Sequence, residues 1–175
     1  SFLHGSMANA LPQAIGAQEA FPDRQVISIS GDGGLSMLLG ELVTARMHDL
    51  PITVIVFNNS TLGMVKLEML VDGMPDFGTD VHDMHYADVA SAMGFQAERV
   101  DDPQDVRNAL TRALSHRGPS LVEVITDPNA LSLPPEITGE QLFGFATAMS
   151  KIVLNRGAGE AVSMATSNMR NIPRF

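Results

Sequence analysis

Short apolar runs alternate along this chain with longer stretches whose apolar residues recur at helical spacing. "QVISIS" at 25–30, "PITVIVFNN" at 51–59, "AERV" at 97–100 and "SLVEVIT" at 120–126 read as strands. Of these strands, the first is short, β-branched and bounded by Gly, the pattern of a strand buried on both faces, and the second is read as buried too. Between them the spacing predicts helices. The first covers about Leu11–Ala20, with Pro12 in its opening turn, where the missing N–H costs little. The second covers Leu35–His48, with Leu38, Leu42 and Ala45 on one face. Tyr86–Met93, stopped by Gly94, and Pro103–His116, opened by its proline, complete the set. The stretch from Asn59 to Tyr86 reads as a loop. Regular alternation of strand and helix predicts an α/β fold: a doubly wound, mostly parallel sheet with helices on both faces.

Beyond the last strand, "DPNALSLPPEIT" at 127–138 reads as a linker. Thr138-Gly-Glu-Gln141 is a capping box. Leu142, Phe145, Ala146, Met149, Ile152 and Val153 then form a helical stripe that ends at Gly157. The remainder, "AVSMATSNMRNIPRF", has a poor stripe and carries Pro173 near its end. The expected organisation is therefore a domain over 1–137 and a helical tail over 138–175.

Composition narrows the chemistry. The chain of 175 residues has no cysteine, so thiolate and disulfide chemistry are out. Its net charge of −9 argues against a nucleic-acid partner. The longest apolar run, Ile52–Phe57, is far too short to span a bilayer. No signal-peptide pattern opens the sequence, and a cytoplasmic location is the default expectation. The charge is uneven: Lys151, Arg156, Arg170 and Arg174 against Glu160 make residues 150–175 +3, which leaves −12 for the rest. Such a tail suits either an anionic lipid surface, on the inner face of the cell membrane, or its own acidic domain.

Two strands break at polar residues. The first stops at Gly31-Asp32-Gly33-Gly34 and the second at Asn58-Asn59-Ser60. Open α/β sheets hold ligands at the carboxyl ends of their strands. Glycines let a backbone approach a phosphate closely, and the amides that open a helix point at it. A bare carboxylate such as Asp32 would repel that phosphate, and a divalent cation between them removes the conflict. Mg2+ takes oxygen ligands, commonly one or two from side chains with phosphate and water completing the set. Asp32 and Asn59, 27 residues apart and each after a buried strand, supply a carboxylate and a neutral amide for that role.

"GDGG" with "NNS" resembles the motif of the thiamine diphosphate enzymes of the pyruvate oxidase and acetohydroxyacid synthase superfamily, in their C-terminal cofactor-binding domain. "SFLHGSMANALPQAIGAQ", "LPITVIVFNNS", "GTDVHD" and "GPSLVEV" are most similar to the quinone-dependent pyruvate dehydrogenases, which are flavoproteins. That resemblance implies roles for residues here. Asp32 and Asn59 hold Mg2+ through their side chains and Thr61 through its carbonyl. Gly33 and Gly34 line the diphosphate. Gly5, Ser6 and Met7 meet the aminopyrimidine, with Met7 as the wedge that bends the cofactor. Ser60 lies at the cofactor, Leu62, Gly63, Met64 and Val65 line the thiazolium pocket, and Glu68 is a catalytic acid near the substrate.

The implied activity is oxidative decarboxylation of pyruvate, or a related 2-keto acid, to acetate and CO2, with electrons passing through FAD to quinone. The implied assembly is a homo-oligomer, and the implied tail partner is lipid. The flavin domain and the domain that activates the pyrimidine do not fit in 175 residues, so the chain is expected to be a fragment, inactive alone. "LGMV" at 62–65 looks more like acetohydroxyacid synthase, which keeps carboligation of 2-keto acids open as the alternative. A non-catalytic phosphate-binding module is a third reading. His82 and His85 have helical metal-ligand spacing but no soft third ligand, and read as a solvated loop. His4 lies beside the cofactor segment, the methionines read as core and pocket filler, and Lys66 reads as solvent-facing.

Overall fold

The computed structural model describes residues 4–130 and 138–169. In chain order the elements are α1 Ala10–Ala20, β1 Ile27–Gly31, α2 Asp32–Ser36, α3 Glu41–Met47, β2 Thr53–Asn58, α4 Gly63–Val71, α5 Tyr86–Ala92, β3 Gln96–Val100, α6 Val106–Ser115, β4 Ser120–Ile125, α7 Gly139–Arg156 and α8 Ala158–Asn168. They form two compact units. One comprises 1–59 and 83–126, the other 60–82 and 127–175. The division does not follow the boundary at 137/138 drawn from the sequence, because residues 60–82 group with the C-terminal helices.

The first unit is built on a four-stranded sheet of order β1-β2-β4-β3, parallel throughout. All four strands predicted from the apolar runs are present. One face carries Val54, Val56 and Leu121, covered by Leu11 of α1, Leu42 and Ala45 of α3, and Tyr86, Ala87 and Ala90 of α5. The opposite face packs Val100, Val122 and Val124 under Ala109 and Ala113 of α6. Helices therefore lie on both faces, as the alternation predicted. On the α6 side, Ile27 and Ile29 of the edge strand and Phe57 stay exposed.

Two helices of this unit differ from expectation. The single helix predicted over Leu35–His48 is two. Between α2 and α3 the amides of Leu38, Glu41, Leu42 and Val43 bond three residues back rather than four. Glycines at 33, 34 and 40 weaken the α-helix and allow this tighter winding. The helix predicted from Pro103 starts at Val106. Asp102 folds the preceding residues into a turn: its carboxylate accepts from the Gln104 amide at 2.8 Å and its carbonyl from the Asp105 amide at 3.0 Å.

The second unit is helical. Its apolar core joins Leu67 and Leu70 of α4, Ala148 and Ile152 of α7 and Met164 of α8, flanked by Phe145 and Met149. The capping box is formed: Thr138 Oγ1 accepts from the Gln141 amide at 3.2 Å, and Gln141 Oε1 accepts from the Thr138 amide at 3.0 Å. Gly157, at φ +91°, ends α7 as expected. Two helices were not foreseen: α4, in the stretch read as a loop, and α8, in the segment of poor stripe. Of the predicted stripe, Leu142 and Val153 are exposed, whereas Ile152 is buried with Phe145 and Met149 beside it, and Ala148, outside the stripe, joins the contact. The basic residues Lys151 and Arg156 are anchored within this unit. Lys151 Nζ donates to the Gly73 carbonyl at 2.9 Å, and Arg156 bonds Asp76 through both side chain and carbonyl. Arg170, Pro173, Arg174 and most of the linker lie outside the described residues. Among the described residues, no helix is long and apolar enough to cross a membrane.

Candidate functional site

The register of the sheet decides where the two polar breaks emerge. Gly31 of β1 pairs with Phe57 of β2, so Asp32 and Asn58 leave the sheet side by side and Asn59 follows one residue later. Asp32 is the first residue of α2 and only 3% exposed. Its carbonyl accepts from Ser36 Oγ at 2.9 Å. Gly31 before it is extended, at φ −79° and ψ 162°, which turns the chain from strand into helix. Gly33 is buried beside it. At Gly34 a Cβ would lie 3.0 Å from Ser30 Oγ and 3.8 Å from the Ala8 backbone nitrogen. A side chain there would have to displace the Ser30 hydroxyl by a few tenths of an ångström, and the Ala8 contact brings the segment after Gly5, Ser6 and Met7 against the first turn of α2. Gly5 has φ +57°, in the region that favours glycine. His4, Ser6 and Met7 are exposed.

The two asparagines have different roles. Asn58 is buried in the sheet. Its Nδ2 donates to Glu123 Oε1 at 2.7 Å and to the Met84 carbonyl at 3.1 Å. Its carbonyl accepts from the Thr126 amide at 2.9 Å. The half-buried Asn59, just beyond the strand, is the one at the sheet's edge.

The predicted residues from Ser60 onward belong to the second unit. Ser60 has a left-handed backbone, φ +53°, and its carbonyl accepts from the Val81 amide at 2.9 Å. Thr61 is buried, pairs with Asp80, and donates its hydroxyl to the Thr79 carbonyl at 3.1 Å. Leu62 and Gly63 lead into α4. On that helix Met64, Val65 and Glu68 are exposed while Lys66, Leu67 and Leu70 point inward. Helical spacing puts Met64, Val65 and Glu68 on one face. Lys66 does not face solvent as its charge suggested. It is 5% exposed, with Nζ 3.8 Å from Asp76.

The donor set at the end of β1 and β2 suits Mg2+ and a diphosphate. It has one buried carboxylate, one amide oxygen and a glycine turn in which a Cβ at Gly34 would crowd the Ser30 hydroxyl. Hard oxygen ligands of low total charge match a cation whose remaining ligands are phosphate and water. Among the described residues no group of three or more His, Cys, Asp or Glu could hold a metal. His85 instead pairs with Asp88 at 3.2 Å.

Residues 1–124 match the C-terminal thiamine pyrophosphate-binding domain of thiamine pyrophosphate enzymes. The chain belongs to that family. It is 36% identical over 165 residues to YdaP of Bacillus subtilis, named as a thiamine pyrophosphate-containing protein, covering 94% of this chain and 29% of that one. It is 39% identical over 131 residues to the mitochondrial acetolactate synthase catalytic subunit of Aspergillus candidus, covering 74% and 19%. Among solved structures it matches a thiamine diphosphate-dependent 4-hydroxybenzoylformate decarboxylase of Rhodococcus jostii RHA1. The TM-score is 0.65 at 32% identity, over 69% of this chain and 23% of that one. The chain thus spans less than a third of the length of these relatives. Nothing in these similarities singles out the pyruvate oxidases within the family.

Two buried polar residues of this thiamine pyrophosphate-binding domain carried no assigned role from the sequence. Glu123 is fully buried in β4, and Tyr86 is fully buried at the start of α5. The one available signal was Glu123 itself, a lone charge inside the apolar run "SLVEVI". A charge there must be paired, and its partners cannot be read from the run. Burial pushes the Tyr86 phenol up from its ordinary range; Ser36's hydrogen bond opposes this, and the charges of Asp32, Glu123 and Asp83 add to it.

Proposed function

We propose that this chain supplies the metal- and diphosphate-binding half of the site in an enzyme that decarboxylates a 2-keto acid. The observation that carries this is the emergence of buried Asp32 and adjacent Asn59 from neighbouring parallel strands, in a chain of this family. Asp32 and Asn59 would hold Mg2+ by their side chains and Thr61 by its carbonyl. Gly33 and Gly34 leave the backbone free to approach the diphosphate. Gly5, Ser6 and Met7 would meet the pyrimidine, and Leu62 to Val65 the thiazolium. Thiamine diphosphate, when bound, supplies a carbon nucleophile for the keto carbon. Glu68, exposed on the face of α4 shared with Met64 and Val65, is the candidate proton carrier toward substrate.

For the fate of the remaining carbon fragment, transfer to a second 2-keto acid is the better supported reading. Its support is the similarity to an acetolactate synthase and the "LGMV" run at 62–65. Oxidation through FAD to quinone, with lipid binding by the tail, is the second reading, favoured by "GTDVHD" and the basic residues of the tail.

Thermal shift tests the site. Thiamine diphosphate should raise the melting temperature only when Mg2+ is present, and Asp32→Ala should remove the rise, because the carboxylate and diphosphate repel each other without the cation. Equal stabilisation in excess EDTA would refute the metal assignment.

A further inference from the structure

Beneath the two strand-end loops lies a buried hydrogen-bonded bridge that none of the assigned roles uses. It starts at Asp32. Ser36 Oγ donates to the Asp32 carbonyl at 2.9 Å and shares a 2.6 Å hydrogen bond with the Tyr86 hydroxyl. One residue along α5, the Ala87 amide donates to Glu123 Oε2 at 2.9 Å. Glu123 Oε1 accepts from Asn58 Nδ2 at 2.7 Å, next to Asn59. Arg99 Nη1 donates to the same carboxylate oxygen at 2.9 Å and supplies the countercharge. Arg99 is held in turn by Asp83, at 2.9 and 3.1 Å.

We infer that Tyr86 and Glu123, joined through the first turn of α5, are positioning residues that set the spacing of the loops carrying Asp32 and Asn59. The inference rests on the metal-site reading above. Both side chains are fully buried, so their bonds are not exchanged with water. Each grips the residue that fixes a ligand loop: Tyr86 the carbonyl of Asp32 by way of Ser36, and Glu123 the side chain of Asn58. And Tyr86 is adjacent to Ala87, the amide donor to Glu123, so one element links the two loops. A parallel ladder holds β1 and β2 only as far as Gly31 and Phe57. Past that point some other device must keep a carboxylate and an amide at the separation a small cation demands. Mg2+ tolerates little deviation from octahedral geometry, so misplacement should weaken binding of the cation and the diphosphate together.

Isothermal titration of thiamine diphosphate at saturating Mg2+ into the 175-residue chain tests this, with melting of the unliganded protein measured alongside. Tyr86→Phe keeps the ring and its packing and removes only the hydroxyl. Ser36→Ala cuts the same link from the other end. Glu123→Gln keeps the shape and removes the charge. Each should raise the dissociation constant about fivefold to tenfold, the effect of one misplaced or lost hydrogen bond. Val100→Ala, in the core under α6, is the control: it should lower the melting temperature and leave the dissociation constant unchanged. If Glu123→Gln does not fold, Tyr86→Phe and Ser36→Ala carry the test. Variants that melt earlier but bind like the wild type would show these residues to be structural only and overturn the inference. A wild type that binds no thiamine diphosphate would overturn the metal-site reading itself, and this inference with it.

Discussion

The two units of the chain solve the same problem with different means. In the first, a parallel sheet satisfies its own backbone, and strands of Val, Ile and Leu supply a core on each face. Its buried polar side chains Asn58 and Glu123 sit next to a strand-end loop, where the site is. In the second, five fully or nearly buried apolar residues from α4, α7 and α8 make a small core. Alongside them lie Lys66 and Asp76, both buried, with Arg156 reaching in to Asp76 at 3.0 Å. Where apolar area is scarce, charges and one close backbone crossing set how the helices fit. The family match fits this division in part. It runs to residue 124, which takes in the sheet and α4 and stops before α7 and α8.

The largest effect is expected at Asp76 of the second unit. Asp76→Ala leaves the Lys66 ammonium buried without this carboxylate and frees Arg156 from the side-chain bond. Removing one partner of a buried pair costs roughly 3–5 kcal/mol. Urea denaturation should show a loss of that order. Hydrogen exchange should place the lost protection in 60–82 and 138–169. Asp76→Asn, which keeps the volume and an acceptor, should lose less. If Asp76→Ala is neutral, the charges are not what holds the second unit.

A pair of glycines sharpens the contrast. Gly144 of α7 crosses α4 so closely that a Cβ would lie 1.8 Å from the Val71 carbonyl oxygen. Gly144→Ala must push the helices apart, at about 1–3 kcal/mol. Gly16 sits in α1 of the first unit with nothing within 4 Å of a Cβ. Gly16→Ala should stabilise by up to about 1 kcal/mol, the helix-propensity difference. Thermal melts of the two variants should move in opposite directions. Two shifts of the same sign would show that the crossing at Gly144 does not limit the packing.

These residues also mark what a sequence can disclose. The four strands were legible because each is an apolar run closed by a turn former. The candidate ligands Asp32 and Asn59 were legible because each interrupts or ends such a run. The charge clusters were not. Lys66, Asp76 and Arg156 are separated by 10 and 80 residues, and only the folded helices bring them together. The same holds for Glu123 and Asn58, 65 residues apart. Helix α4 was missed for a related reason: its inward positions Lys66, Leu67 and Leu70 include a lysine, which blurs the apolar period. Met164, at the heart of the small core, stands between Val162 and Met169, which are exposed.

The smallest effect concerns the outer end of the network in the first unit. There the carboxylate is on the surface: Asp83 pairs with Arg99, the reverse of the buried Asp76. Arg99's hydrogen bond, with its charge adding to it, holds the Asp83 carboxyl below the ordinary aspartate value of 3.8. A carboxylate whose folded value is depressed adds stability that is present above its unfolded value and is lost as pH falls through the folded one. The contribution should therefore be intact at neutral pH and disappear only below about pH 3.8. Urea midpoints measured from pH 6 down to pH 3 should fall less steeply at the acid end in Asp83→Asn than in the wild type. The two proteins should differ little at pH 7, because an exposed ion pair is screened by solvent. A large loss at pH 7 would mean that Asp83 supports Arg99 and Glu123 as strongly as Asp76 supports Lys66, and the contrast between an exposed and a buried carboxylate would fall.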